Sequence, residues 1–287
     1  MPHKAADRIR NVALVGHRGS GKTTLHEAML FEAGAINRLG TVEDGSTVSD
    51  HELDEQRRGL SIDACVSCFE YADREINLID TPGDPSFVAD AAAALRVADS
   101  AVVLVNAVAG VEVHTERLWQ RADAEGLARL VFVNMLDRER ADFFAALDSL
   151  KAAFGPHVVA TEIPIGSEQD VRGVVDLIDM EAFVDTGAER GAVERGPIPD
   201  ELRPRAEEYR ENLMDEVAEN SDALMERYLD GEEIDHAEIV TALKRGVTEG
   251  HLFPVTCGVA TRSLGTTRLL DALVEDLPSP RLRGPLQ

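Results

Sequence analysis

Short apolar runs alternate with longer segments of helical periodicity through the first half of the chain. Apolar runs bounded by polar or glycine-rich segments indicate buried strands, and apolar residues that recur every three or four positions indicate helices. The alternation predicts an α/β fold: a mainly parallel sheet with helices on both faces, in which ligands bind beyond the carboxyl ends of the strands. The predicted strands lie near Asn11–Val15, Ile62–Tyr71, Glu75–Ile79, Ala101–Asn106 and Arg129–Val133. The predicted helices lie near Lys22–Ala33, Ser86–Val97, Val111–Glu125 and Glu139–Phe154.

The pattern changes from about Ile163 onward and returns to the sheet pattern near the end of the chain. We therefore predict a main domain of residues 1–160 and 251–287, interrupted by an inserted α+β subdomain at residues 161–250. The charged helical patterns of the insertion form either a solvated surface or a face that docks a partner. The predicted elements are a strand pair at Ile163–Asp179, a loop at Asp185–Pro199, helices at Asp200–Tyr228 and Asp235–Glu249, a strand at Leu252–Thr256 and a helix at Thr266–Leu277.

The segment Gly16–Thr23 has the spacing G-x-x-x-x-G-K-[ST] of a phosphate-binding loop. It stands between a predicted strand and a predicted helix, which is the context that such a loop requires. Its glycines let backbone N–H groups turn toward an anion, and the helix start adds a partial positive charge. We expect Lys22 to reach the outer phosphates and the Thr23 hydroxyl to bind Mg²⁺.

Two further motifs follow predicted strands at the same edge of the sheet. Asp80 begins the sequence Asp-Thr-Pro-Gly, where the carboxylate is suited to hold Mg²⁺ through water and Gly83 lets its N–H approach a γ-phosphate. Asn134 begins Asn-Met-Leu-Asp, which is similar to the N-K-x-D element of guanine-nucleotide-binding proteins. In that element the carboxylate, here Asp137, accepts from guanine N1–H and N2–H₂, and the asparagine ties the base to the phosphate loop.

With these motifs the chain resembles, almost end to end, the G domain of the translational GTPases, and in particular elongation factor G-like proteins. Residues 34–45 resemble the bacterial paralogues of that group. The matching segments are Gly16–Leu25 for G-H-x-x-x-G-K-T-T-L, Asp50–Ile62 for the first switch (with Glu55–Ile62 for E-x-x-R-G-I-T-I), Asp80–Phe87 for the second switch, Pro254–Ala260 for the guanine-lining segment and Leu277–Pro280 for the exit from the domain.

The resemblance implies a Mg²⁺-dependent domain that binds GTP and GDP, hydrolyses GTP to GDP and phosphate, and acts at the ribosome through the full-length protein. It implies that residues 37–59 are the first switch, ordered only with a γ-phosphate and Mg²⁺. The implied catalytic residues are Lys22, Gly83 and Asp84, and the implied metal ligands are Thr23, Ser61 and Asp80. The implied nucleotide contacts are His17, Arg18, Gly19, Ser20, Gly21, Lys22, Thr23, Thr24, Gly83, Asn134, Met135, Asp137, Gly258, Val259 and Ala260.

Four residues depart from the family pattern. Ser61 stands in place of threonine and keeps the hydroxyl, while Gly19 replaces an aspartate and Met135 replaces the lysine whose stem lies along the base. Asp84 stands where the family has the histidine that positions the attacking water. A carboxylate there repels the transition-state charge, so we expect intact GTP binding with slow intrinsic hydrolysis.

Two other functions stay open. A guanine-nucleotide-binding regulatory module without turnover is favoured by Asp84, and a protein that reads adenine is allowed by Met135 but opposed by Asp137. The sequence stops soon after the resembled domain exit, so we expect a G domain cut from a longer protein. Alone, it should bind GDP but respond weakly to ribosomes. The resemblance favours docking of the charged helices to a ribosomal protein that reads an acidic surface.

Composition limits the partners. The net charge is −24, from 53 acidic and 29 basic residues, so we expect no direct grip on nucleic acid. No apolar run approaches the roughly 18–20 residues that a membrane span requires, and no signal-peptide pattern is present. We expect a cytoplasmic monomer. Cys65 and Cys68 form a C-x-x-C, but zinc requires four ligands and no second pair exists, so we interpret both as small apolar side chains.

Overall fold

The computed structural model describes residues 4–187, 192–219, 222–230, 232 and 234–283. The strands in this part of the chain are β1 (Ile9–Gly16), β2 (Cys65–Tyr71), β3 (Arg74–Asp80), β4 (Ser100–Asn106), β5 (Ala128–Asn134), β6 (Val158–Ala160), β7 (Glu162–Ile165), β8 (Gly173–Asp176), β9 (Glu181–Asp185), β10 (Val193–Gly196) and β11 (Phe253–Cys257). The helices are α1 (Lys22–Glu32), α2 (Leu53–Arg58), α3 (Val88–Val97), α4 (Val113–Ala124), α5 (Phe143–Phe154), α6 (Arg203–Glu219), α7 (Asp222–Leu229), α8 (His236–Glu249), α9 (Thr266–Glu275) and α10 (Pro280–Arg283).

A seven-stranded sheet in the order β2-β3-β1-β4-β5-β11-β6 forms the centre of the molecule. The β2 strand runs antiparallel to β3, whereas the other neighbouring strands are parallel. Helices cover both faces of this sheet, and β4 and β5 are buried along almost their whole length. This arrangement confirms the predicted mainly parallel α/β fold, and it explains why these strands are continuous apolar runs.

The parallel strands deliver their carboxyl ends to one edge of the sheet. In the register, Leu14 of β1 pairs with Asp80 of β3, and Asn106 of β4 pairs with Asn134 of β5. The phosphate loop follows β1 at the same edge. The three sequence motifs are therefore brought together by strand order, as the alternating pattern predicts.

A second, antiparallel sheet in the order β10-β9-β8-β7 lies in the predicted insertion, together with α6, α7 and α8. The predicted strand pair at Ile163–Asp179 is confirmed as β7 and β8. The exact limits of the insertion, at residues 160 and 250, stay a prediction. In the described part of the chain, no helix combines the length and apolar character that crossing a membrane requires.

Several predicted elements differ from the structure. The predicted loop at 185–199 contains β10, which pairs with β9, while its residues 188–191 lie outside the described part of the chain. The short β10 is an exposed edge strand of sequence Val-Glu-Arg-Gly. Because neither of its faces is buried, its sequence does not alternate between apolar and polar residues, and the strand could not be recognised from the pattern. The pattern at Asp200–Tyr228 forms two helices, α6 and α7, rather than one.

Four further helices and strands of the described chain appear where none was predicted, namely α2, β6, β9 and α10. The first is α2, which lies inside the predicted switch loop and is closed by a capping box between Glu52 and Glu55. The second is β6, a three-residue strand at the sheet edge beside β11. These elements are too short for the pattern of apolar positions to distinguish them from irregular segments.

Candidate functional site

The phosphate loop turns between β1 and the first residue of α1. Gly21 adopts φ +90°, and a Cβ there would lie 2.4 Å from the Asn134 side-chain nitrogen, so only glycine fits. The Lys22 ammonium lies over the loop and donates to the carbonyl oxygens of Gly16 and His17, both at 3.1 Å. Burial lowers the pKa of Lys22 to about 8, against the opposing charges of Asp80 and Asp50.

Three oxygen-bearing side chains meet beside this lysine. The Thr23 hydroxyl donates to Asp80 Oδ2 at 2.8 Å and lies 3.0 Å from the Ser61 hydroxyl. Asp80 is almost fully buried, and its Oδ1 has no hydrogen-bond partner among the described residues. Burial raises the pKa of Asp80, and the Lys22 charge opposes that rise. Two hydroxyls and an unpaired carboxylate oxygen are hard ligands of the kind that Mg²⁺ prefers, so these residues fit that ion.

Gly83 closes the site from the end of β3. A Cβ on Gly83 would lie 2.3 Å from Lys22 Nζ and 2.9 Å from the Arg18 backbone. Any side chain there would push the segment after β3 away from the phosphate loop. Glycine thus permits the close backbone approach that the motif predicts.

The Asp84 carboxylate is already engaged on its own segment. It accepts the Ser86 backbone N–H at 2.9 Å and lies 3.4 Å from Arg18 Nη1. The hydrogen bond from that N–H, followed by the Arg18 charge, lowers the pKa of Asp84. The carboxylate is therefore a charged cap of the short turn Pro85–Phe87.

Asn134 joins three separate segments at the other side of the site. Its Nδ2 donates to the Ser20 carbonyl at 2.9 Å, and its Oδ1 accepts the Ala260 N–H at 3.0 Å. The Met135 methyl lies near the phosphate loop, at 3.3 Å from where a Gly21 Cβ would stand. The segment after β11 is held by the Gly258 N–H, which donates to Val133 at 3.0 Å.

An open cleft of about 220 Å³ lies between the phosphate loop, the first-switch segment and Gly83. The predicted site residues that line it are Arg18, Gly19, Gly21, Lys22, Thr23, Thr24, Ser61, Gly83 and Met135. The predicted residues that do not line it are His17, Ser20, Asp80, Asp84, Asn134, Asp137, Gly258, Val259 and Ala260. Of these, Asp80 and Asn134 are attached to lining segments by the hydrogen bonds described above, and Asp137 is partly buried two residues beyond Met135.

His17 does not line the cleft and contacts the start of α4 instead. Its Nδ1 lies 3.2 Å from Glu112 Oε2, and its ring meets the His114 ring edge-to-face. These contacts are local to the loop and the start of α4, and a contact of His17 with the nucleotide stays a prediction.

Sequence reasoning did not identify two acidic residues of the site. Glu27 of α1 is fully buried and accepts the backbone N–H groups of Gly40 and Val48. Asp50 lines the cleft, and burial raises its pKa to about 6, although Ser61 opposes the shift. The sequence around Glu27 does not indicate a role at the site, because its partners lie in an irregular segment. Asp50 could have been identified from its position within the resembled switch.

Comparison with known proteins agrees with this geometry. Residues 7–279 match the family model described as the elongation factor Tu GTP binding domain. An elongation factor G of Granulibacter bethesdensis is 39% identical over 281 residues, which cover 98% of this chain and 40% of the relative. An elongation factor G of Thermotoga petrophila is 39% identical over 275 residues, covering 96% and 39%.

The fold also matches a solved structure. A crystal structure from Thermus thermophilus superposes with a TM-score of 0.90 and 36% identity, covering 97% of this chain and 41% of that protein. The chain thus spans about two fifths of the length of the relatives that it matches.

Proposed function

This chain belongs to the family of the elongation factor Tu GTP binding domain, and we propose that it is the Mg²⁺-dependent GTP-binding domain of an elongation factor G-like GTPase. The observation that carries the proposal is the convergence of Thr23, Ser61 and Asp80 beside the buried Lys22. Phosphate-loop hydrolases use such a group, a lysine and oxygen ligands at one loop, to bind a nucleoside triphosphate.

The phosphate loop and Lys22 bind the phosphates in this proposal. Backbone N–H groups from Gly19 to Thr24 surround the inner phosphates at the start of α1. The ammonium of Lys22 exchanges its two loop carbonyl acceptors for oxygens of the outer phosphates. The Gly83 N–H approaches the γ-phosphate because no side chain separates it from the loop.

Thr23, Ser61 and Asp80 would hold the metal, with Asp80 acting through water. When bound, Mg²⁺ supplies positive charge that stabilises the phosphate oxygens. Asp80 contributes the unpaired Oδ1, and Thr23 keeps that carboxylate in place through its hydroxyl.

Asn134 and Asp137 would read guanine. The Asp137 carboxylate accepts from the N1–H and N2–H₂ groups of the base, Met135 lies along the ring in place of a lysine stem, and Val259 and Ala260 line the other side. The amide of Asn134 supports this proposal, because it links the phosphate loop to the segment of Ala260.

Competition binding tests the base specificity. GTP and ATP are titrated against labelled GDP, and ATP is expected to compete about 10⁴-fold more weakly, because a carboxylate placed for guanine is left unpaired by adenine. Competition by ATP within tenfold of GTP would exclude Asp137 as the guanine-reading residue. Asp137→Ala should lose GDP binding, while the exposed change Asp54→Ala should not.

The enzymatic part of the proposal is hydrolysis of GTP to GDP and phosphate with low intrinsic turnover. The engagement of Asp84 by Ser86 and Arg18 favours a second function, a guanine-nucleotide-binding regulatory module without turnover. Phosphate release from bound GTP decides between them: any release above a Lys22→Ala control supports the GTPase, and none supports the regulatory module.

We further propose that the whole protein acts at the ribosome in the cytoplasm and that this domain is monomeric. The support is the family membership and the net charge of −24, which disfavours direct binding of nucleic acid. GTP turnover by this chain with and without ribosomes tests the partner, and a weak response is expected. Strong stimulation of this chain alone would contradict the expectation that other domains are required.

A further inference from the structure

Two histidines meet beside the phosphate loop. His17 belongs to the loop, and His114 lies in the first turn of α4; their ring centroids are 6.3 Å apart with an interplanar angle of 70°. Glu112, immediately before α4, lies 3.2 Å from His17 Nδ1. The start of α4 is therefore held against the loop that carries Lys22.

The His114 imidazole is buried with a nitrogen that has no partner. The residue is 4% exposed, and its Nε2 makes no hydrogen bond to any described residue. Buried polar groups are almost always hydrogen-bonded, so a buried imidazole nitrogen without a partner suggests a ligand or water that completes it.

The surroundings of His114 disfavour its charged form. Burial lowers its pKa, and the positive charges of His17, Lys22 and Arg117 lower it further, while Asp84 opposes them. A neutral imidazole presents one donor nitrogen and one acceptor nitrogen, which allows it to orient a water molecule without adding charge.

The contacts of His17 place His114 near the lysine of the phosphate loop. The His17 carbonyl accepts from Lys22 Nζ at 3.1 Å, and the His17 ring meets the His114 ring edge-to-face. The Asp84 carboxylate is occupied by the Ser86 N–H and faces Arg18. His114 therefore offers a buried Nε2 without a described partner beside the phosphate loop, whereas the Asp84 carboxylate is engaged.

We propose that His114 holds the water that attacks the γ-phosphate, an inference that rests on the proposed GTPase function. The water oxygen forms a bond to the γ-phosphorus as the bond to the β–γ bridging oxygen breaks. The bridging oxygen leaves on GDP, and the water protons end on the inorganic phosphate and solvent. His114 orients the water through Nε2 and keeps its own protonation state.

Single-turnover hydrolysis of pre-bound GTP tests the role of the nitrogen. His114→Ala and His114→Phe should be slower by on the order of 10²-fold, since mispositioning of a reactant has effects of this size. His114→Gln, whose amide places a polar atom near the position of Nε2, should stay within about tenfold of the wild type. GDP affinity should be unchanged in all three variants.

The phenylalanine variant fills the volume of the ring, and Thr115→Val at the adjacent buried position of α4 is the packing control. An unchanged rate in His114→Ala would overturn the inference. So would a rate in His114→Gln as low as that of the alanine and phenylalanine variants, because packing alone would then explain the loss.

A second measurement separates this inference from the proposed function. With ¹⁵N-histidine labelling, the His114 ring signal of the wild type is compared between the GDP form and the form loaded with a non-hydrolysable GTP analogue. If the wild type binds GTP but does not hydrolyse it, the GTPase function fails, while a signal that changes with the γ-phosphate still supports the placement of His114. A ring signal that is identical in both forms overturns it.

Discussion

The carboxylate of Glu27 accepts the backbone N–H of Gly40 at 3.2 Å, which ties the helix after the phosphate loop to the first-switch segment. The same carboxylate accepts the Val48 N–H from the middle of that segment. One buried side chain of α1 therefore fixes two points of residues 37–59, close to where Ser61 and Asp50 enter the cleft. The conformation of the switch depends on α1 as well as on its own sequence.

Replacing Glu27 should release the first-switch segment. Hydrogen bonds to a charged group contribute about 1.5–3 kcal/mol. Glu27→Gln keeps one oxygen as a weaker neutral acceptor and replaces the other with an NH₂ that cannot accept, so one of the two backbone N–H groups loses its partner. We expect trypsin to cleave this variant faster at Arg38, Arg57 or Arg58, by at least tenfold. Asp54→Asn, which neutralises an exposed carboxylate of the same segment, is the control, and equal cleavage of the two variants would contradict the role of Glu27.

Asn134→Ala should weaken nucleotide binding without unfolding the sheet. The change removes the bonds to Ser20 and Ala260 and leaves a buried carbonyl and N–H unpaired, so the phosphate loop and the base-lining segment lose their common support. GDP affinity should fall by about tenfold or more, the equivalent of about 1.4 kcal/mol. Calorimetric titration with GDP measures it.

Asn106→Ala is the matched control for that variant. Asn106 ends the neighbouring strand in register with Asn134, but its side chain accepts from Val108 rather than from the nucleotide-binding segments. If Asn106→Ala lost as much GDP affinity as Asn134→Ala, the effect would come from any change at the end of a strand and not from the bonds of Asn134.

The sequence predicts the catalytic edge of the sheet better than its surroundings, for a physical reason. Strands β4 and β5 are buried on both faces and appear as continuous apolar runs, so their ends, and with them Asn134, could be located. The role of Glu27 could not be predicted, because its hydrogen-bond partner Gly40 lies 13 residues away in a segment without hydrophobic periodicity. The His17–His114 contact joins elements far apart in sequence, and only the packing of α4 on the sheet brings them together.

A buried carboxyl group at the junction between the two sheets should make the free energy of unfolding depend on pH. Glu162 of β7 is buried beside Arg268 of α9, which also faces Asp176 and Asp271, so one guanidinium serves three carboxyl groups. Burial raises the pKa of Glu162 from its ordinary value of 4.5 to about 8, although Arg268 opposes the shift. The folded chain thus retains a proton that the unfolded chain releases above pH 4.5.

Stability should therefore fall as the pH rises from 4.5 through 8, by at most about 1.4 kcal/mol per pH unit for one proton. Glu162→Gln stays neutral and should flatten this slope, although Asp276, whose pKa burial raises to about 7, retains part of it. Urea unfolding at several pH values measures the slope, with the exposed change Glu207→Gln as control. A variant slope equal to that of the wild type would contradict the assignment.

Asp84→Asn should leave GTP binding intact and change the single-turnover rate of hydrolysis by less than about tenfold. The asparagine oxygen can still accept the Ser86 N–H, so the turn keeps its cap and loses only the charge that faces Arg18.

Proton abstraction by a carboxylate would supply little in phosphoryl transfer, where positioning and charge stabilisation dominate. Removing the charge should have a small effect because the carboxylate is engaged by Ser86 and Arg18, whereas Asp84→His also supplies the imidazole that the resembled family uses to position the attacking water, so this variant should accelerate hydrolysis. Asp90→Asn in α3 controls for a general loss of negative charge. If Asp84→Asn alone slows hydrolysis by about 10²-fold or more, the scale of a lost general base, then Asp84 is itself catalytic.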